Sequence, residues 1–166
     1  VDDRMRTSVE GVYAAGDAVG GRLLAHLAFA QGRIAAENAM GLASSAEHLA
    51  VPACVYTEPE IASVGLSEPA ARAAGRDVVT GRFDFRANGR SLTLGNREGF
   101  VKVVADRQSG VLLGASLFGP EAGELISELT LGVRAEQLGD MVHPHPTLSE
   151  AVAEACADAA GRAIHK

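Results

Sequence analysis

Two apolar runs, Phe100-Val101-Lys102-Val103-Val104 and Val111-Leu112-Leu113-Gly114-Ala115-Ser116-Leu117, flank a short polar stretch from Asp106 to Gly110. Runs this rich in valine and leucine, this close together and joined by turn residues, read as a β-hairpin. A parallel pair would need a crossover of about a dozen residues. The middle of the chain is therefore committed to an antiparallel sheet. Ala53 to Tyr56 and Ile61 to Val64 read as two more strands around the Thr57-Glu58-Pro59-Glu60 turn, and the alternation from Val78 to Phe85 as another.

Helices are predicted around these strands. Ser67 is placed to cap one that runs to Ala74, with Gly75 after it. Pro120 takes the favoured first position of another, which carries Leu125, Ile126, Leu129 and Val133 at helical spacing. Glu136 to Asp140 is a short helical piece, and the last helix runs from Leu148 to about Ile164. Arg86 to Asn96 is polar, with a turn at Asn88-Gly89, and part of it could pair as strand. Strands grouped before helices define the α+β class: an antiparallel sheet flanked by helices.

Residues 7–41 form a separate unit. Val12-Tyr13-Ala14-Ala15 reads as a short strand ending at Gly16-Asp17, and a helix follows from Leu23 to Met40, stopped by Gly41. A carboxylate at the end of such a strand is where a sheet meets a ligand, although small residues there also serve packing. Gly41 to Ala50 is a linker, which divides the chain into residues 1–50 and 51–166. The chain begins Val1-Asp2-Asp3, without an initiator methionine, and reads as a segment of a longer protein.

An apolar content of 47% supports a folded core rather than disorder. A net charge of −6 argues against nucleic acid as a partner. No apolar run reaches the ~18 residues a membrane span needs. Cys54 and Cys156 are far apart in apolar surroundings and read as reduced, buried thiols of a cytoplasmic protein. No metal-ligand spacing is present.

Chemistry concentrates in His143-Pro144-His145-Pro146-Thr147-Leu148-Ser149-Glu150. Thr147 and Glu150 have capping-box spacing, so Thr147 is the expected N-cap of the last helix and Glu150 its returning partner. Histidine trades a proton near neutral pH, and a following proline holds its backbone extended. A histidine so fixed, with a carboxylate one turn into the helix, has what a general base needs. The two readings compete for the same carboxylate unless one oxygen caps and the other faces the ring.

The ends of the chain converge on one family. Thr7-Ser8-Val9-Glu10-Gly11-Val12-Tyr13-Ala14-Ala15-Gly16-Asp17 resembles a flavin-binding motif of the two-dinucleotide-domain flavoprotein reductases. His145-Pro146-Thr147-Leu148-Ser149-Glu150 resembles the active-site motif of the dihydrolipoamide-oxidising branch of the pyridine nucleotide–disulfide oxidoreductases. Leu24-Ala25-His26, Tyr56 to Glu60, Asn88-Gly89-Arg90, Glu98 to Lys102 and Gly119 to Ile126 follow the same family in order. The chain departs from the pattern at Glu58 and Pro144, where histidine and alanine are more usual.

The resemblance implies roles. Residues 1–50 would end an FAD-binding domain, and 51–166 would form the interface of a homodimer. Asp17 would bind the ribityl or phosphate part of FAD, and Leu24, Ala25 and His26 would approach the pyrimidine edge of its ring. His145 would be the acid–base for the dithiol, oriented by Glu150 and acting on the redox disulfide of the other subunit. NAD would be the co-substrate. The partners would be a lipoyl group on an acyltransferase and that protein's peripheral subunit-binding domain. Related mercuric, glutathione and transhydrogenase-type reductases are the alternatives, as is a module that only dimerises. The chain carries neither the Gly-rich first flavin motif nor the redox cysteine pair, so by itself it should not turn over.

Overall fold

The computed structural model describes residues 1–165. The chain divides into two compact units between Val51 and Pro52.

In the first unit, the expected strand at Val12–Ala15 is reduced to one antiparallel bridge, Arg6 to Tyr13. Met5 takes φ +64, which turns the opposing segment out of extended geometry and stops the ladder. A 3-10 turn, Gly16–Val19, leads towards α1, Ala25–Ala39. Gly41 ends that helix as expected, at φ +85. The Gly41 amide donates to Asn38 O and the Leu42 amide to Glu37 O, the two bonds of a Schellman stop.

The second unit is built on a five-stranded antiparallel sheet. In chain order its elements are β1 (Ala53–Val55), β2 (Glu60–Gly65), α2 (Glu68–Ala73), β3 (Val78–Asp84), α3 (Gly89–Leu94), β4 (Phe100–Asp106), β5 (Leu112–Gly119), α4 (Ala122–Leu125), α5 (Ala135–Gly139) and α6 (Glu150–Ala159). The strand order is β1-β2-β5-β4-β3. The expected hairpin pairs Val101 with Leu117 and Val103 with Ala115.

Paired residues share a face of the sheet. Ala62, Leu117, Val101 and Phe83 form one inward row, and Val64, Ala115 and Val103 form the next. α6 covers this face with Ala151, Val152, Ala155 and Cys156, all fully buried. The outer face is covered at one end, where Ala71 of α2 meets Val78 and Val104. The rest carries Ile61, Phe118 and Phe100 in one row, with the Arg82 guanidinium 3.8 Å above the Phe100 ring.

β3 is an edge by topology. Side chains nevertheless close part of it: from α6, Asp158 Oδ2 accepts from the Arg82 amide at 2.9 Å, and from the β4–β5 turn Arg107 donates to the Val78 carbonyl. Contact is closest at Gly81. A Cβ there would lie 1.9 Å from the Ala155 carbonyl oxygen and 2.4 Å from the Ala159 nitrogen.

Several expectations are corrected. Arg86 to Asn96 is neither turn alone nor strand. Asn88 caps α3 by accepting from the Ser91 amide at 2.9 Å. Pro120 does not open its helix. Glu60 Oε2, from the neighbouring strand, accepts from the Gly123 amide at 2.8 Å and fixes the start at Ala122. That helix tightens to a 3-10 turn over Ile126–Thr130, short of Val133, where Gly132 at φ +65 redirects the chain. α6 stops at Ala159 rather than near Ile164, because Gly161 at φ +73 completes a Schellman stop through Arg162 to Ala157 O. Cys54 lies on the three-residue edge strand and is only half-buried.

Gly81→Ala should lower stability by roughly 1–3 kcal/mol, because the methyl must push backbone rather than a flexible side chain. Urea unfolding followed by circular dichroism reads the loss, and an unchanged midpoint would contradict this packing.

Candidate active site

The loop into α6 is held by its own polar groups. Thr147 does not cap the helix. Its hydroxyl donates to the Pro144 carbonyl at 2.8 Å and meets Ser149 Oγ at 3.0 Å, and Ser149 takes the N-cap position. Only the returning half of the expected capping box forms: the Thr147 amide donates to Glu150 Oε2 at 2.8 Å. The other oxygen, Oε1, lies 2.8 Å from His145 Nδ1. The cap and the histidine contact thus coexist on one carboxylate, one oxygen each.

This division sets the chemistry of the ring. A carboxylate only accepts, so Nδ1 is the donor and Nε2 of the neutral imidazole is left as the basic nitrogen. The His145 side chain is 77% exposed, whereas Glu150 is 29% exposed. The ring lines an open cleft of about 250 Å³ with Phe83, Gly89, His143, Glu150 and His165. Partial burial pushes the Glu150 carboxyl up. The Thr147 amide and His145 outweigh it, with help from His143, and hold the group below the usual glutamate range. Glu150 therefore stays ionised where histidine titrates.

His143 is arranged differently. Its side chain is 4% exposed, with Nε2 3.2 Å from Glu128 Oε2 and Nδ1 3.1 Å from the Met141 carbonyl. Both nitrogens face oxygen acceptors, of which a neutral ring bonds one and an imidazolium both, so this buried ring is anchored rather than presented. A third pair, which the sequence reading did not single out, joins His165 Nδ1 to Glu154 Oε1 at 2.8 Å, one helical turn beyond Glu150. Glu154 is pushed up by burial but brought below its usual range by His165 and the Ile164 amide. Among the described residues no group of three or more His, Cys, Asp or Glu is placed to hold a metal ion.

The two cysteines are free thiols. Burial, with Glu128 nearby, pushes Cys156 up to about 12, and burial also raises Cys54. Neither is a thiolate near neutral pH.

Asp17, Leu24, Ala25 and His26 all lie in the first unit. Asp17 is exposed in the Gly16–Val19 turn. Leu24 is the extended N-cap of α1, without a capping side chain, and Ala25 and His26 are the first two helical residues. The positive end of a 15-residue helix therefore starts here with no side-chain cap to neutralise it.

Residues 51–156 match the pyridine nucleotide-disulphide oxidoreductase dimerisation domain. The chain belongs to this family. Dihydrolipoyl dehydrogenase 2 of Haloarcula marismortui is 52% identical over 99% of this chain, which corresponds to 36% of that protein. The dihydrolipoyl dehydrogenase of Thermus scotoductus is 50% identical over the same share of each. Among solved structures, LpdA from Mycobacterium tuberculosis matches with a TM-score of 0.88 and 35% identity, covering 94% of this chain and 35% of that one. The HOCl-induced flavoprotein disulfide reductase RclA from Escherichia coli matches with a TM-score of 0.86 and 26% identity, over 95% of this chain and 38% of that one. The chain thus spans about a third of the length of these relatives. The open antiparallel sheet with its helices is the family's dimerisation fold. Among the described residues no helix is long and apolar enough to cross a membrane.

The shared Glu150 carboxylate has a pH signature. Its folded-state pKa is depressed, so its stabilisation is present above the unfolded value of 4.5 and is lost as pH falls through the lower folded value. Glu150→Ala should cost about 1 kcal/mol at pH 7, the usual scale for a lost hydrogen bond. That gap should narrow below pH 4.5 in chemical denaturation; a gap independent of pH would exclude an ionised acceptor.

Proposed function

We propose that this chain is the dimerisation segment of a flavoprotein that oxidises dihydrolipoyl groups with NAD, with His145 as acid–base and Glu150 as its orienting partner. The observation that carries the reading is the 2.8 Å contact between His145 Nδ1 and Glu150 Oε1, which leaves Nε2 basic on an exposed ring. Relatives 50–52% identical across the chain carry the dihydrolipoyl dehydrogenase name, which favours the dithiol substrate over those of other reductases.

In this reading Nε2 takes the proton from one substrate thiol. The thiolate attacks one sulfur of the enzyme's redox disulfide, a mixed disulfide forms, and the other enzyme sulfur leaves as thiolate. The second substrate thiol then displaces the first enzyme sulfur, which leaves carrying that thiol's proton, and the lipoyl disulfide closes. Glu150 keeps Nδ1–H aligned and offsets the charge of the imidazolium. The redox disulfide must come from outside Cys54 and Cys156, which are free. The exposure of the His145 ring suits a disulfide presented by a second copy of the protein. The exposed side chains of Leu131, Met141 and Val142, the last 94% exposed, suit a homodimer interface formed by residues 51–166. The chain alone would then be a dimerisation module without turnover.

Residues 1–50 would complete an FAD-binding domain. The donor character of the α1 N-terminus fits the electron-rich pyrimidine edge of a flavin at Leu24, Ala25 and His26. The exposed Asp17 carboxylate fits ribityl hydroxyls. When bound, FAD supplies the two-electron route from dithiol to NAD. The lipoyl group of an acyltransferase and its peripheral subunit-binding domain would be the macromolecular partners.

In the full-length protein, His145→Gln should slow dihydrolipoamide oxidation by about 10²–10⁴-fold while leaving flavin content unchanged. Steady-state assay with absorbance of bound flavin measures both, and parent-like turnover would remove His145 from the mechanism. The isolated chain should sediment and scatter light as a dimer at micromolar concentration; a monomer would count against the interface.

A further inference from the structure

Asn88 and Ser91 are the two polar residues buried as whole residues among those described. Asn88 is 3% exposed and uses both ends of its amide. Oδ1 accepts from the Ser91 amide at 2.9 Å and caps α3. Nδ2 donates to the Thr147 carbonyl at 3.0 Å, across 59 residues of sequence. Capping alone does not require asparagine, since serine and aspartate serve as well. What they lack at this reach is a donor for Thr147.

Thr147 is the residue whose amide donates to Glu150 Oε2. Its two backbone polar groups are therefore clamped from opposite directions, the carbonyl by Asn88 and the amide by Glu150. The turn that carries Asn88 also reaches the ring: a Cβ on Gly89 would lie 3.8 Å from His145 Cε1. The β3–α3 connection thus braces both the loop and the histidine.

We propose that Asn88 is a positioning residue for dithiol oxidation, locking the Thr147 carbonyl so that Glu150 stays aimed at His145. This rests on the acid–base reading of His145 given above. Asn88 does not touch the reacting atoms; it fixes the geometry of the groups that do. Misplacing a catalytic group by about 1 Å can cost roughly 100-fold in rate.

The test uses the full-length flavoprotein with Asn88→Asp and Asn88→Ser. Both keep an oxygen to cap α3 and remove the donor to Thr147. Dihydrolipoamide kcat should fall about 10-fold or more, with KM and bound flavin unchanged. NADH-driven reduction of a quinone, which bypasses the dithiol proton transfer, should keep the parent rate. In the His145→Gln background, adding Asn88→Asp should cost less than about twofold, since residues acting as one unit are not additive. Parent-like kcat in Asn88→Asp beside a slow His145→Gln would overturn this inference alone. So would loss of dithiol oxidation, quinone reduction and flavin in equal proportion, which marks a general folding role. A His145→Gln protein at the parent rate would overturn the acid–base reading and this inference with it.

Discussion

Helix α6 lies on strand β3 at backbone distance, and the second unit is arranged around that contact. The absence of a side chain at Gly81 lets the Ala155 carbonyl and the Ala159 amide approach the strand directly. Ala151, Val152, Ala155 and Cys156 then fill the inward face, where burial of small apolar side chains replaces long interdigitating ones. A helix seated this closely has little freedom to slide or roll. Its first residue is Glu150, so the carboxylate is placed by the same packing that closes the core.

From that point the site is electrostatic. One carboxylate holds the Thr147 amide in the loop ahead of the helix and a histidine nitrogen together. Its ionisation is favoured by both contacts, so the Glu150 carboxylate stays charged across the range in which imidazole exchanges protons. The buried, doubly bonded His143 and the exposed, singly bonded His145 are separated by one proline, yet only the second has a nitrogen left to offer. Their difference lies in what surrounds them, not in residue type.

How much of this can be read from the sequence depends on distance along the chain. β3, β4 and β5 were legible from alternation and from the hairpin between Asp106 and Gly110, and the α+β class followed. The His145–Glu150 contact spans five residues and was legible from spacing. What local pattern could not reveal are the choices made by distant partners. Glu60 starts α4 from 63 residues away and displaces Pro120 from that role. Glu128 anchors His143 across 15 residues. Asn88-Gly89 carries the composition of a turn, and only its buried amide makes it the start of α3 and a brace for Thr147. Thr147 lost the cap for a nearer acceptor, the Pro144 carbonyl.

The seal on β3 bears on how copies of such a chain can meet. A bare outer strand invites another chain to add itself as the next rung of the ladder, a route to runaway polymerisation. Here Asp158 and Arg107 occupy the outward amide of Arg82 and the outward carbonyl of Val78. The opposite border, β1, is three residues long. Growth of the sheet by strand addition is disfavoured at both margins, so association is steered towards side-chain surfaces, which can close on themselves and stop at two.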